Sequence, residues 1–348
     1  MVEVDPAALA RTVLWGSFVL AVVFGAIAQR THFCTMGAVS DIVNMGDYTR
    51  MRQWALAAGV ATLGFGVLVH AGLIDPAKTL YASNRWLWLS GLVGGLMFGF
   101  GMVLASGCGN KTLVRIGGGS LKSLVVFLVI AIASFATLRG ITAVLRVATV
   151  DRVAVDMAGG ASLPGLLAAA GLDAPSAALV AAVVVGGALS AWALMTRESW
   201  RLDNLLAGLG LGLIVVGAWW LSGHVGFIAE HPETLEPTFV ATNSGKAEAL
   251  SFTAPVAYTV DWLIFFSDKS KVLTVGIVSV LGVIAGSAVM ALANGSFRWE
   301  GFGGVEDVAN HLVGGLLMGV GGVTALGCTI GQGLSGISTL SITSFVSV

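Results

Sequence analysis

Apolar positions along the chain gather into runs of 18 or more residues, near 12–29, 53–74, 86–107, 121–138, 164–195, 203–222, 272–293 and 310–327. A run of that length spans the hydrocarbon core of a bilayer as a helix. The pattern predicts eight or nine transmembrane helices. A last run, Ser338–Val348, begins like a further span but stops after eleven residues. Polar positions concentrate in 223–270, with Glu230, Glu233, Glu236, Pro232, Pro237 and Asp261. That stretch reads as an external or interfacial loop holding short helical pieces. Arg30, Arg50 and Arg52 flank one loop, and Arg197 and Arg201 another, which favours a cytoplasmic side for both.

Composition agrees with the pattern. Of the 348 residues, 56% are hydrophobic and only 11% charged, and mean hydropathy is +0.90. Soluble domains carry about 25% charged residues, so the chain reads as an all-α polytopic membrane protein, with 1–348 a single transmembrane domain. The start, "MVEVDPAALARTVLW", lacks a cleavage signal and predicts a retained first helix. A net charge of −1 argues neither for nucleic acid nor for a polybasic membrane anchor. Three cysteines without a CxxC or Cys/His cluster suggest neither a disulfide framework nor a zinc site, and no cofactor is expected.

Internal similarity narrows the class. Leu92–Cys108, "LVGGLMFGFGMVLASGC", matches Leu312–Cys328, "LVGGLLMGVGGVTALGC", at 11 of 17 positions, with glycines and the cysteine in register. A fainter echo links Phe24–Thr35 with Val216–Phe227, where Cys34 falls opposite Gly226. The repeat divides the chain into two halves, about 12–138 and 203–348. Such duplication is typical of transporters, whose substrate sites lie on interrupted helices at the repeat interface. The sequence leaves open whether the halves are inverted or parallel.

Each cysteine stands where an apolar run gives way to small or polar residues: "QRTHFCTMGAVSD", "ASGCGNKTLVR" and "ALGCTIGQGLSG". Glycines there can end one helix and start another, leaving backbone N–H groups unpaired. At membrane depth those groups must face a cavity or a ligand. Half-helix N-termini at a cavity make an anion site. The candidate site is therefore Cys34, Cys108 and Cys328 with Gly109, Asn110, Lys111, Thr329, Gly331 and Gln332. Lys111 and Arg115 add positive charge or snorkel at a helix end; Asn110 and Gln332 donate from their amides or cap a turn. Arg30 and His32 stand close to Cys34. Glu300, Glu306, Asp307 and His311 border the last repeat segment as candidates for proton coupling or as a solvated loop. Trp219 and Trp220 suit packing or an interface belt.

On "RTHFCTMGA", "ASGCGNKT" and "LMGVGGVTALGCTIGQGLSG", the chain resembles the YeeE/YedE family of bacterial membrane proteins over nearly its whole length. The resemblance implies a multi-pass protein of the bacterial inner membrane, an hourglass-like bundle with inverted repeats and half-helices meeting near the membrane centre. It implies a transporter rather than an enzyme, importing thiosulfate or a related sulfur anion through the bilayer with the three cysteines lining the route. A soluble TusA-like sulfur carrier is an implied companion. A protonated thiol holds a soft dianion loosely where a thiolate would repel it, and weak sites in series permit release. Moving two negative charges inward against about 150 mV costs roughly 7 kcal/mol, so import needs coupled protons or rapid consumption inside. The alternative is a membrane sulfurtransferase that takes sulfane sulfur as a cysteine persulfide.

Overall fold

Backbone polar groups in a bilayer must be satisfied within the protein, and helices do this with local bonds. The computed structural model describes residues 5–157, 159–232 and 234–348 and is helical almost throughout. Residues 1–4 and 158 and Glu233 of the polar excursion lie outside them. In order come α1 (Pro6–Thr31), α2 (Thr35–Met45), α3 (Thr49–His70), α4 (Trp88–Leu104), α5 (Gly109–Gly117), α6 (Leu121–Arg139) and α7 (Ile141–Ala148). After them come α8 (Leu163–Ala169), α9 (Ala174–Leu194), α10 (Leu202–Val225), α11 (Thr253–Ile264), α12 (Val275–Ala293), α13 (Val305–Thr324) and α14 (Ile342–Ser347). Asp5 caps α1 by accepting from the Ala7 N–H at 2.9 Å, and Pro6 suits the first helical position. Two short antiparallel pairs are the strands among the described residues: β1 (Arg85–Trp86) with β2 (Val155–Asp156), and β3 (Phe227–Ile228) with β4 (Thr238–Phe239).

Among the described residues, seven segments are long and apolar enough to cross a membrane: Pro6–Met45, Thr49–His70, Trp88–Gly117, Leu121–Arg139, Ala174–Leu194, Leu202–Val225 and Val275–Ala293. With 20 residues, α13 has the length as well, but Glu306, Asp307 and His311 occupy its first two turns. The apolar run 164–195 is two helices, parted where Gly171 takes φ of 108°. Only glycine enters that region freely.

Glycine sets the helix spacing. Along α4 and α13 a methyl added at Gly94 would lie 2.4 Å from the Ala325 nitrogen and 2.7 Å from the Gly321 carbonyl oxygen. One added at Gly314 would lie 2.6 Å from the Gly101 carbonyl oxygen and 2.7 Å from the Ala105 nitrogen. The second set is the first shifted by the repeat offset, with the helices exchanged. Residue 94 faces 321 and 325 while residue 101 faces 314, so the helices run antiparallel. A two-fold that relates antiparallel helices lies across their axes, as in an inverted repeat. The same kind of seam joins α1 to α12, where Gly25 meets Val283 and Gly286 meets Val22.

The polar excursion is not wholly external. Ala247, Leu250 and Phe252 are buried. Their extended backbone finds partners inside: Leu80 N–H donates to Ala247 O at 2.9 Å, and Ser335 Oγ donates to Leu250 O at 2.7 Å. These bonds let an irregular segment lie inside the bundle.

Candidate functional site

One backbone device appears three times. His32, Ser106 and Leu326, each two residues before a cysteine, take φ of 52°, 55° and 62°. Non-glycine residues are uncommon there and the conformation is strained, which is typical of functional sites. Ser106 N–H donates to Val103 O at 3.1 Å, and Leu326 N–H to Val323 O at 3.1 Å. Gly107 N–H donates to Met102 O at 2.8 Å, and Gly327 N–H to Gly322 O at 2.8 Å. The chain turns at the left-handed residue, and the cysteine opens the next helical segment. Cys34 caps α2, its sulfur accepting from Gly37 N–H at 3.4 Å. Cys108 is the N-cap of α5. Cys328 precedes a wide helical turn, Gly331–Gly336, and its sulfur accepts from Gly331 N–H at 3.4 Å.

The breaks converge. All three thiols are free and buried. Cys34 and Cys108 are side-chain neighbours, and Thr329, next to Cys328, lies beside Cys108. The two helix N-termini at Cys34 and Cys108 bring their positive dipole ends to this place. Gly109 is buried, yet a methyl there would have no atom within 4 Å. A void therefore adjoins Cys108.

Polar side chains without partners stand beside the thiols or against the turn that follows Cys328. Thr35 Oγ1, both ends of the Asn110 amide, Thr329 Oγ1 and Trp54 Nε1 are buried and unpaired among the described residues. Each such group costs about 1–3 kcal/mol unless something polar meets it. Trp54 lies against Gly333, where a methyl would come within 2.6 Å of its ring. Hydroxyl, amide and indole N–H are neutral donors, fit for an anion held loosely.

The surroundings differ on the two sides. Lys111 and Arg115 are half-buried, lie over Gly107, and act electrostatically on Cys34. Neither has a carboxylate partner among the described residues. Arg50 lies over Gly37 and pairs with buried Asp41 at 2.8 Å. On the Cys328 side stands a 430 Å³ cavity lined by neutral groups, among them Thr79, Tyr81, Ser83, Asn84, Ser338 and Thr339. Tyr81 reaches from its wall to donate to Gly331 O at 2.6 Å, and burial pushes its phenol up. A second cavity, of 170 Å³, touches Leu326 and Gly327 and is bordered by Glu248.

Of the residues singled out in the sequence, Cys34, Cys108, Cys328, Gly109, Asn110, Lys111 and Thr329 come together. Gly331 and Gly333 continue a helical turn and give room to Ser251 and Trp54, so close approach is their task and the break falls on Leu326. Gln332 is engaged at both ends of its amide: Nε2 donates to Ala325 O at 2.5 Å, and Oε1 accepts from Ser344 Oγ at 2.5 Å. It braces the turn against α14. Arg30 pairs with Asp203 at 2.9 Å. Glu300 pairs with Arg298 at 3.0 Å, Asp307 with Lys122 and His311, and Glu306 is exposed, so these acids form a polar rim at the start of α13. Trp219 is buried and donates to Ser338 Oγ at 2.9 Å, whereas Trp220 is exposed. The sequence reading missed Thr35, Trp54, Tyr81 and Glu248. Thr35 had a signal, since a threonine comes directly after Cys34 as one does after Cys328.

A family model described as sulphur transport matches residues 30–348. The Thiosulfate transporter TsuA of Escherichia coli strain K12 is 26% identical over 323 residues, covering 89% of this chain and 83% of the relative. The Thiosulfate transporter TsuA of Spirochaeta thermophila is 24% identical over 352 residues, covering 96% and 94%. A Probable transporter YedE from Escherichia coli is 32% identical over 92 residues, 26% of this chain and 21% of the relative.

Proposed function

The chain belongs to the sulphur-transport family, and on that premise we propose that it carries thiosulfate, or a sulfur anion of the same kind, past Cys34, Cys108 and Cys328. The observation that carries the reading is the contiguity of buried thiols, unpaired neutral donors and a void at Gly109. Thiosulfate has a soft sulfur at one end and three hydrogen-bond-accepting oxygens at the other. Thiols meet the soft end with weak S–H donors; Thr35, Asn110, Thr329 and Trp54 meet the oxygens. These neutral contacts are weak one by one, so the anion leaves as readily as it arrives. Lys111 and Arg115 raise its local concentration at one mouth. Consumption of the sulfur inside by a TusA-like carrier supplies a pull against the membrane potential. The relatives named thiosulfate transporters support this substrate.

The test is uptake of radiolabelled thiosulfate into proteoliposomes, with sulfate, sulfite and selenite as competitors. Cys108→Ala and Cys328→Ala abolish uptake while the protein still inserts and purifies as a folded species. Wild-type rates in either variant would overturn the reading. Cys→Ser at the same positions keeps a donor but not its softness and gives intermediate rates.

A further inference from the structure

Coupled protons are one of the two ways to bring a dianion in against an inside-negative potential, and the acids on α13 are engaged in ion pairs or exposed at its rim. Glu248 is placed differently. It comes directly after buried Ala247 in the stretch that runs inward to the Cys328 turn. Its backbone is fixed on both sides by Ser222, which accepts from Glu248 N–H at 3.1 Å and donates to Glu248 O. Glu248 lines the 170 Å³ cavity together with Leu326 and Gly327, the two residues before Cys328. Ser251 lines it too, and its side chain lies against Gly331.

We infer that the Glu248 carboxyl is a proton-binding site that must be occupied before a dianion passes Cys328, so that uptake is proton-dependent; this rests on the transport reading above. The carboxylate accepts from Ser244 N–H at 2.9 Å and has no lysine or arginine partner among the described residues. Titratable and charged groups face it from every side. Arg146 of α7 borders the same cavity but is paired with Asp151 at 3.1 Å. Tyr258 of α11 and Tyr81 from the segment after α3 both feel the Glu248 charge, and Tyr81 also feels Cys328. Arg139 and the Asp261–Lys271 pair stand behind Tyr258. Among the described residues, then, no directly paired cation offsets the carboxylate at this threshold. Burial pushes the carboxyl above the usual glutamate range, against the hydrogen bonds from Ser244 and Asn243. An ionised Glu248 repels an approaching dianion across a low-dielectric cavity, and protonation removes that charge. The step is a proton moving from water to the carboxylate and back; the cargo breaks no bond and gains no electron.

The experiment measures initial uptake of radiolabelled thiosulfate by the purified full chain in proteoliposomes at a series of pH values. The wild-type rate falls about fivefold or more as pH rises through and above the usual glutamate range and the carboxyl ionises. Glu248→Gln flattens the profile and exceeds wild type at the alkaline end. Parallel profiles for wild type and Glu248→Gln, both above empty liposomes, overturn the inference and leave the transport reading standing. Wild-type uptake no higher than empty liposomes overturns both. Should Glu248→Gln fail to melt as a folded protein, Glu248→Asp decides: it keeps the pH dependence with a displaced midpoint, and an unmoved midpoint overturns the inference.

Discussion

The turn at Ser106–Cys108 and the turn at Leu326–Cys328 share one backbone, down to the left-handed residue and paired hydrogen bonds of equal length. Past the thiols they share little. Lys111 occupies the place that Gly331 holds in the other half, and Arg115 the place of Ser335. The surroundings of Cys108 are therefore cationic, while those of Cys328 are neutral apart from Glu248 and the ion-paired Arg146 at the 170 Å³ cavity. Duplication supplied the frame twice, and divergence just beyond each cysteine gave the two faces different chemistry. A route whose mouths differ in charge has a preferred side for capturing an anion.

Three experiments test that comparison. The largest effect is expected at Gly109, whose counterpart Thr329 already carries a side chain. Gly109→Val puts a side chain into the void beside Cys108, its β-carbon without striking a neighbour. Thiosulfate uptake should drop by about tenfold or more, with a melting temperature near that of wild type, because only a passage is filled. A fall in stability with uptake unchanged would mean that the void is not on the route. Next is Lys111→Gly with Arg115→Ser, which gives the cationic mouth the residues of the neutral one. Half-saturation for thiosulfate should rise by several-fold at low salt, and the gap should close as salt screens the wild type. Equal salt dependence in both proteins would remove capture as the role of these cations. The smallest effect concerns the shared backbone. Ser106→Gly or Leu326→Gly should stabilise the protein by about 1 kcal/mol, seen as a higher melting temperature, since glycine adopts the left-handed region without strain. Loss of stability in one half only would show that the two turns are not equivalent.

The duplicated helices were legible because glycines in register leave a strong trace even at low overall similarity. The thiols, Asn110 and Lys111 were legible for the same reason: they sit at the end of that trace. The left-handed turns were not, because serine and leucine carry no propensity for positive φ and the glycines nearby draw attention instead. Gln332 looked free, since nothing in its own motif reveals that Ser344, twelve residues on, takes its carbonyl. The inward course of Ala247–Thr253 was hidden by its composition. Its polar residues resemble a surface loop, and only the tertiary hydrogen bonds from Ser222, Ser335 and Leu80 make that course tolerable in a bilayer. Trp54 lies in a helix far along the chain from Cys328, and no local pattern links the two.

The seam between α4 and α13 bears on how such a protein moves. With backbone against backbone at Gly94, Gly101, Gly314 and Gly321, the pair has no clearance in which to slide or tilt. It acts as a stator. Under the transport proposed above, motion that admits the anion would fall to lighter parts around it, such as the Tyr81 side chain and the segment that carries Glu248. A passage gated in that way costs little rearrangement per ion and works at the pace of side-chain and loop motion.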